Sequence, residues 1–227
     1  MAYAVPAPAL VTVPVVGGDP FPVRRIYCVG RNYAAHAREM GSNPDREPPF
    51  FFMKPADAIL ATGSTMAYPP QTKDLHHEIE LVVAIGKQGK DIPVAEALDH
   101  VYGYAVGLDM TRRDLQNEAK KTGRPWEMGK GFDQSAPIAP IHKAADVGHL
   151  AKGAIWLKVN GEIRQQGDIA DLIWSVAESI SYLSALMELH PGDLIYSGTP
   201  EGVAAVTHGD KLLGHVDGLS DLAITIG

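Results

Sequence analysis

Residues 74–83 read Asp74-Leu75-His76-His77-Glu78-Ile79-Glu80-Leu81-Val82-Val83, the start of a β run that continues to Ile85 and stops at Gly86. In a strand, alternate side chains share a face. Glu78 and Glu80 therefore point one way, with His76 beside them, while Leu75, Ile79, Leu81 and Val83 point the other. Neighbouring carboxylates on so apolar a strand repel each other, and partial burial strengthens the repulsion. A divalent cation removes the conflict, and hard oxygen ligands favour Mg2+, Mn2+ or Ca2+ over zinc. A bare Glu-x-Glu also occurs on solvent-facing strands, so a third group is needed. Asp109 supplies it, closing the apolar run Tyr104-Ala105-Val106-Gly107-Leu108. Its alternative duty, capping the helix that follows, falls to Thr111 in the capping-box pattern Thr111-Arg112-Arg113-Asp114.

Working outward, the sequence predicts strands over Ile26–Val29, Phe50–Met53 and Val101–Asp109, and a short helix over Asn32–Met40 ended by Gly41. Ile155–Val159 and Ile163–Gln166 flank Asn160-Gly161, a two-residue hairpin signal. A second capping box, Ser175-Val176-Ala177-Glu178, opens a helix whose apolar face is Val176, Ile180, Leu183 and Met187, and which ends at His190-Pro191-Gly192. Two more strands are expected between Leu213 and Ile226. Residues 1–23, rich in Pro, Val and Ala, read as an extended arm before a domain spanning 24–227. The expected class is α+β, β-rich, with about three helices packed outside.

Composition narrows the function. The chain has 227 residues, 45% hydrophobic and 21% charged, ordinary for a globular domain. A net charge of -7, with no basic run, argues against nucleic acid as the main partner. A small anionic substrate remains compatible, because a few cations converging in a cleft coexist with an acidic surface. The one cysteine, Cys28, sits in an apolar strand and reads as a buried, inert thiol. No stretch approaches the roughly 20 apolar residues of a membrane span. The start, Met1 to Val16, lacks a basic segment and carries Pro6, Pro8 and Pro14, unlike a signal peptide, so a cytoplasmic location is expected.

Two further groups of residues carry chemistry. His36 and Glu39, three apart on the first expected helix, share a face. A carboxylate beside an imidazole fixes its tautomer and raises its basicity, as a general base acting on water requires. Arg113 and Gln116 are likewise three apart, and Lys130 follows in Trp126-Glu127-Met128-Gly129-Lys130-Gly131. Such donors, converging on one point, stabilise an oxyanion; singly, Arg113 and Lys130 would be solvated surface charges. Gly131 stands where a phosphate loop requires Ser or Thr. There is no dinucleotide fingerprint and no Gly-x-Ser-x-Gly elbow, which removes the commonest serine-hydrolase reading.

In order and spacing these pieces resemble the fumarylacetoacetate hydrolase family. The matching segments are Tyr27-Cys28-Val29-Gly30-Arg31-Asn32-Tyr33, Leu75-His76-His77-Glu78-Ile79-Glu80-Leu81, Gly107-Leu108-Asp109-Met110-Thr111-Arg112-Arg113-Asp114, Val159-Asn160-Gly161-Glu162 and Gly198-Thr199-Pro200-Glu201-Gly202. The chain is most similar to the short, single-domain branch and, within it, to acylpyruvate hydrolases acting on substrates such as fumarylpyruvate in gentisate breakdown. The resemblance implies a mixed β-roll, a homodimer and a Mg2+ site made by Glu78, Glu80 and Asp109. It implies His36 and Glu39 as the water-activating pair and Arg113, Gln116 and Lys130 as oxyanion donors. Thr199 matches a substrate contact, and Arg31, Lys54 and Arg124 are candidates for the far end of a small anionic diketo acid. The family also contains oxaloacetate decarboxylases and isomerases, which use the same metal set. An inert binding protein would have the metal set without the His36–Glu39 pair.

Overall fold

The computed structural model describes residues 3–33 and 47–227. Its larger sheet has eight strands. Seven form a path in the order β4 (Phe50–Lys54), β3 (Arg25–Gly30), β15 (Asp193–Tyr196), β8 (Ile79–Ile85), β9 (Val101–Leu108), β11 (Ala136–Ile138) and β5 (Ile59–Ala61), and β12 (His142–Lys143) pairs with β9. The β15–β3 and β11–β5 pairs are parallel and the others antiparallel, so the sheet is mixed. It curls into a half-barrel. This is the mixed β-roll that the family resemblance implied.

A five-stranded sheet, β14 (Glu162–Asp168), β13 (Ala154–Val159), β16 (Lys211–Val216), β17 (Leu222–Ile226) and β6 (Thr65–Met66), shares one face of the roll's core. Strand β8 shows why both faces of the larger sheet are buried. Leu81 and Val83 join Leu75, Ile79, Val106 and Leu108 in a cluster with Leu157, Leu212 and Ile224 of the second sheet. Val82 and Ala84, on Glu80's face, join Ile26, Cys28, Ala105 and Tyr196 in another cluster. That cluster is completed from the N-terminal segment, where β1 (Thr12–Val13) and β2 (Phe21–Pro22) pair and bury Val13, Val15, Phe21 and Val23. Cys28 is fully buried, and burial pushes its thiol well above the ordinary range.

Most local readings hold. Asn160 and Gly161 take φ of 53° and 88°, the left-handed pair that a two-residue hairpin turn requires, between β13 and β14. The Ser175–Glu178 capping box forms in full. Four differ. The run Leu75–Ile85 is broken at His77-Glu78: β7 (Leu75–His76) leaves to pair with β10 (Thr111–Arg112), while the Glu78 carbonyl accepts from Asp109 N–H at 2.9 Å. Thr111 is therefore strand, not an N-cap. Helix α1 (Arg113–Thr122) starts after Arg112 with no side-chain cap. The Thr111 hydroxyl serves the carboxylates instead, as described below.

The helix after Ser175 ends at Leu186, short of His190-Pro191-Gly192. Leu189 is drawn into a backbone pair with Gly89, with bonds of 2.8 and 3.0 Å, so the chain must already be extended. Met187 consequently caps the helix and is 40% exposed rather than core. Finally, Tyr33 bridges to Leu172 instead of opening a helix. The remainder of the helix expected there, with His36 and Glu39, lies outside the described residues.

Candidate active site

The strand directions bring the C-terminal ends of β3, β9 and β15 and the N-terminal end of β8 to one end of the sheet. Gly30-Arg31, Asp109, Gly198-Thr199 and Glu78/Glu80 emerge there. Helix α1 follows β10 and carries Arg113, Gln116 and Lys120, at intervals of three and four, on one face. The short helix α2 (Glu127–Lys130) ends in Lys130. Arg31, Phe52, Glu78, Glu80, Asp109, Arg113, Gln116, Lys120, Trp126, Lys130, Gly198 and Thr199 all line one cleft.

Glu78, Glu80 and Asp109 are 4%, 2% and 0% exposed, and each offers an oxygen within 4.8 Å of the other two. Lys130 Nζ donates to Glu78 at 2.9 Å, Asp109 at 2.6 Å and Thr111 Oγ1 at 2.7 Å. Burial alone would lower this ammonium's pKa, but Asp109 and Glu78 overrule burial and hold it above its ordinary value. Arg113 donates to Glu78 and, at 2.6 Å, to the Gln116 carbonyl oxygen. That contact leaves the Gln116 amide hydrogens free to face the cleft. Arg113 and Lys130 are thus buried participants in the cluster, not solvated charges.

Glu80 is different. Its carboxylate accepts from Gly198 N–H at 2.7 Å and, among the described residues, forms no ion pair. Burial, then repulsion from Asp109 and Glu78, pushes its carboxyl well above the ordinary range. Gly198 is required for the contact: with φ of 102°, it brings its backbone so close that a Cβ would lie 2.7 Å from Asn32 Cβ. Three buried carboxylates, one without a cation, are the donor set that a hard divalent ion fits.

The remaining expected residues divide. Lys54 does not reach towards a substrate: its ammonium ion-pairs with Asp109 at 2.8 Å and donates to the carbonyls of Met110 and Lys130. Arg124 is outside the cleft, its side chain 70% exposed near Glu118. Arg31 lines the cleft in a left-handed conformation, φ 57°, its guanidinium 5.5 Å from the Phe50 ring centre. His76 turns from the carboxylates to Asp74, at 2.9 Å.

Several site residues were not picked out in the sequence. Thr111 was hidden by its resemblance to a cap. Lys120 was detectable by extending the Arg113–Gln116 spacing one turn. Asn32, fully buried, clamps two loops: its amide donates to the Trp174 and Ser197 carbonyls, both at 2.8 Å, and accepts from Trp174 N–H at 2.7 Å. No local pattern announces such a clamp.

The comparisons agree with this geometry. The family model for the fumarylacetoacetate (FAA) hydrolase C-terminal region matches residues 25–227. A fumarylpyruvate hydrolase from Ralstonia sp is 46% identical over 83% of this chain and 98% of its own length. The human mitochondrial oxaloacetate tautomerase FAHD1 is 43% identical over 89% and 91%. Among solved structures, fumarylpyruvate hydrolase from Pseudomonas aeruginosa in complex with Mn2+ and pyruvate superposes with a TM-score of 0.97 at 59% identity, covering 99% of each chain. The mixed roll is the fold that the solved Pseudomonas relative shares. The chain belongs to the fumarylacetoacetate hydrolase family.

Proposed function

We propose that this protein is a divalent-metal-dependent hydrolase that cleaves the carbon–carbon bond of an acylpyruvate, with fumarylpyruvate giving fumarate and pyruvate in aromatic catabolism. The observation that carries the reading is Glu80, a buried carboxylate beside Glu78 and Asp109 with no cation of its own among the described residues. These three would hold Mg2+, the expected ion, with Mn2+ or Ca2+ as substitutes. The Mn2+ and pyruvate bound by the Pseudomonas relative support both ion class and product. Once bound, such an ion would supply Lewis-acid polarisation of a carbonyl and stabilise negative charge on the departing group.

The protein's own groups do the rest. Gln116, with its carbonyl occupied by Arg113, presents N–H donors to an oxyanion, and Arg113 and Lys130 add positive charge. His36, oriented by Glu39, takes the proton from attacking water. Formal charges on Glu78, Glu80 and Asp109 cancel those on Lys54, Arg113 and Lys130, so Arg31 and Lys120 leave the cleft net positive even before an ion binds, which favours a substrate with more than one negative charge. A diketo acid with a carboxylate at each end meets that requirement. Arg31 and Lys120 line the same cleft and, among the described residues, form no ion pair; they are suited to the distal carboxylate. Phe52 and Trp126 provide flat apolar walls for an unsaturated chain. The protein is proposed to be a cytoplasmic homodimer; among the described residues no helix is long and apolar enough to cross a membrane.

A second reading, tautomerisation or decarboxylation of oxaloacetate, is supported by the 43% identity to the human tautomerase and uses the same stabilisation of negative charge. The test is ultraviolet decay of fumarylpyruvate with Mg2+ and after chelation, with oxaloacetate in parallel. Metal-dependent release of pyruvate and fumarate is the expected result. Slow decay of fumarylpyruvate with fast conversion of oxaloacetate would move the function to the second reading. His36→Ala should reduce hydrolysis at least a hundredfold while pyruvate affinity changes little, on the scale of general-base catalysis.

A further inference from the structure

Gln165 lies on β14, in the second sheet, and is 1% exposed. Its side-chain amide meets four groups. Oε1 accepts from Ile79 N–H at 3.1 Å and lies 2.8 Å from His77 Nδ1. Nε2 donates to the Pro200 carbonyl at 2.8 Å and to Thr199 Oγ1 at 2.8 Å. The orientation of this amide is determined by its partners. A backbone N–H can only donate and a backbone carbonyl can only accept, so the oxygen must face Ile79 and the nitrogen Pro200.

The polarity then propagates. Because Gln165 donates to Thr199 Oγ1, that hydroxyl is an acceptor on its inner side, and its own hydrogen must be directed elsewhere. Among the described residues, no acceptor stands for it. Thr199 lines the cleft next to Gly198, whose N–H holds Glu80. On the other side, His77 must carry its hydrogen on Nδ1 in order to donate to Oε1. One buried amide thus links the backbone between the two glutamates to the loop that faces them.

From this we infer that Gln165 is a positioning residue: it sets Thr199 as an obligate donor to the cleft and thereby selects a ligand acceptor, the carboxylate oxygen of a 2-oxo acid. The inference deepens the reading under Proposed function and rests on it. A hydroxyl whose hydrogen turned inward would present only lone pairs to the ligand; this one keeps its hydrogen for the cleft. The preference for an anion at this position is therefore decided one residue behind the cleft wall, in the second sheet.

The test is calorimetric affinity for pyruvate in the presence of Mn2+, which needs no turnover. Gln165→Glu keeps the shape but offers Thr199 an acceptor, turning its hydrogen inward and its lone pair to the ligand. Affinity should fall roughly tenfold or more, the scale of losing one hydrogen bond to a charged group. In a Thr199→Val background the same Gln165→Glu change should produce no further loss, because its effect passes through the hydroxyl. An equal loss in both backgrounds, or none in either, overturns the inference. If Gln165→Glu does not fold, Thr199→Ser and Thr199→Ala decide: Ser should stay within about twofold of wild type and Ala should lose roughly tenfold, whereas equal affinities would overturn it. Wild-type protein that fails to bind pyruvate overturns this inference and the proposed function together; normal wild-type binding with indifferent variants overturns this inference alone.

Discussion

Glu78 and Glu80 stand two residues apart on one edge of the cleft, yet their surroundings differ in kind. Glu78 receives Arg113, Lys130 and Thr111, groups from α1, α2 and β10. Glu80 receives one backbone N–H from the loop after β15. The α1–α2 wall is a neutralised ion cluster, while the β15 wall is built of backbone and neutral side chains. Burying a charge costs several kcal/mol unless it is paired. The first wall therefore stabilises itself, and the second is left in want of positive charge. An ion-binding site with preformed rigidity needs both: cations to keep two ligands in place, and one ligand left without a compensating cation.

The contrast is broken most severely at Asp109. Its carboxylate is the only one that Lys54 reaches among the described residues, and one of two that hold Lys130. Asp109→Asn leaves the buried Lys54 ammonium with its two carbonyl acceptors but no counter-charge. We expect a loss of about 3–5 kcal/mol in denaturant unfolding, together with loss of metal-dependent turnover. Glu80→Gln should behave in the opposite way on stability. Its amide oxygen still accepts from Gly198, and one of three repelling carboxylates is gone. Turnover should vanish, while the chelated variant melts no lower than wild type and up to roughly 2–4 °C higher, equivalent to about 1 kcal/mol.

Glu80 also brings a pH dependence to the stability of the fold. The Glu80 carboxyl is raised in the folded state, so its contribution to stability is complete below the unfolded carboxylate range and is lost as pH rises through the folded value. Chelated wild-type protein should therefore lose stability upward from about pH 4.5 relative to Glu80→Gln, and added Mg2+ should restore it. Parallel stability profiles for the two proteins would show that Glu80 is already compensated.

How much of this was legible in the sequence follows from the range of each interaction. Alternation along residues 75–85 announced both carboxylates and the apolar face opposite, and Asn160-Gly161 announced its hairpin, because these signals are local. The Thr111 reading failed because a capping box and a strand that supplies a hydroxyl to buried carboxylates share the same letters. Only the pairing of Thr111 with His76 separates them. Lys54 looked like a candidate for the substrate's far end, and its partner Asp109 lies far along the chain, out of reach of any spacing rule. Asn32 and Gln165 work through loops more than a hundred residues away or in another sheet, so no periodicity could expose them. His36 and Glu39 remain a proposal that the described residues do not address.

The smallest effect belongs to the cleft cations that form no ion pair among the described residues. Lys120 is half-buried, and its ammonium is held below its ordinary value by burial and then by Arg31 and Arg113. Clustered cations of this kind are eased by an incoming anion, which favours a substrate charged at both ends. Lys120→Met keeps the apolar stem and removes the charge. KM for fumarylpyruvate should rise roughly twofold to fivefold, the scale of one half-exposed ion pair, with kcat little changed. Acetylpyruvate, which has no distal carboxylate, should be unaffected, and added salt should shrink the difference between the substrates. Equal losses for both would place Lys120 with Arg113 and Lys130 at the reacting end, and the basic part of the cleft would then belong to the ion cluster rather than to substrate selection.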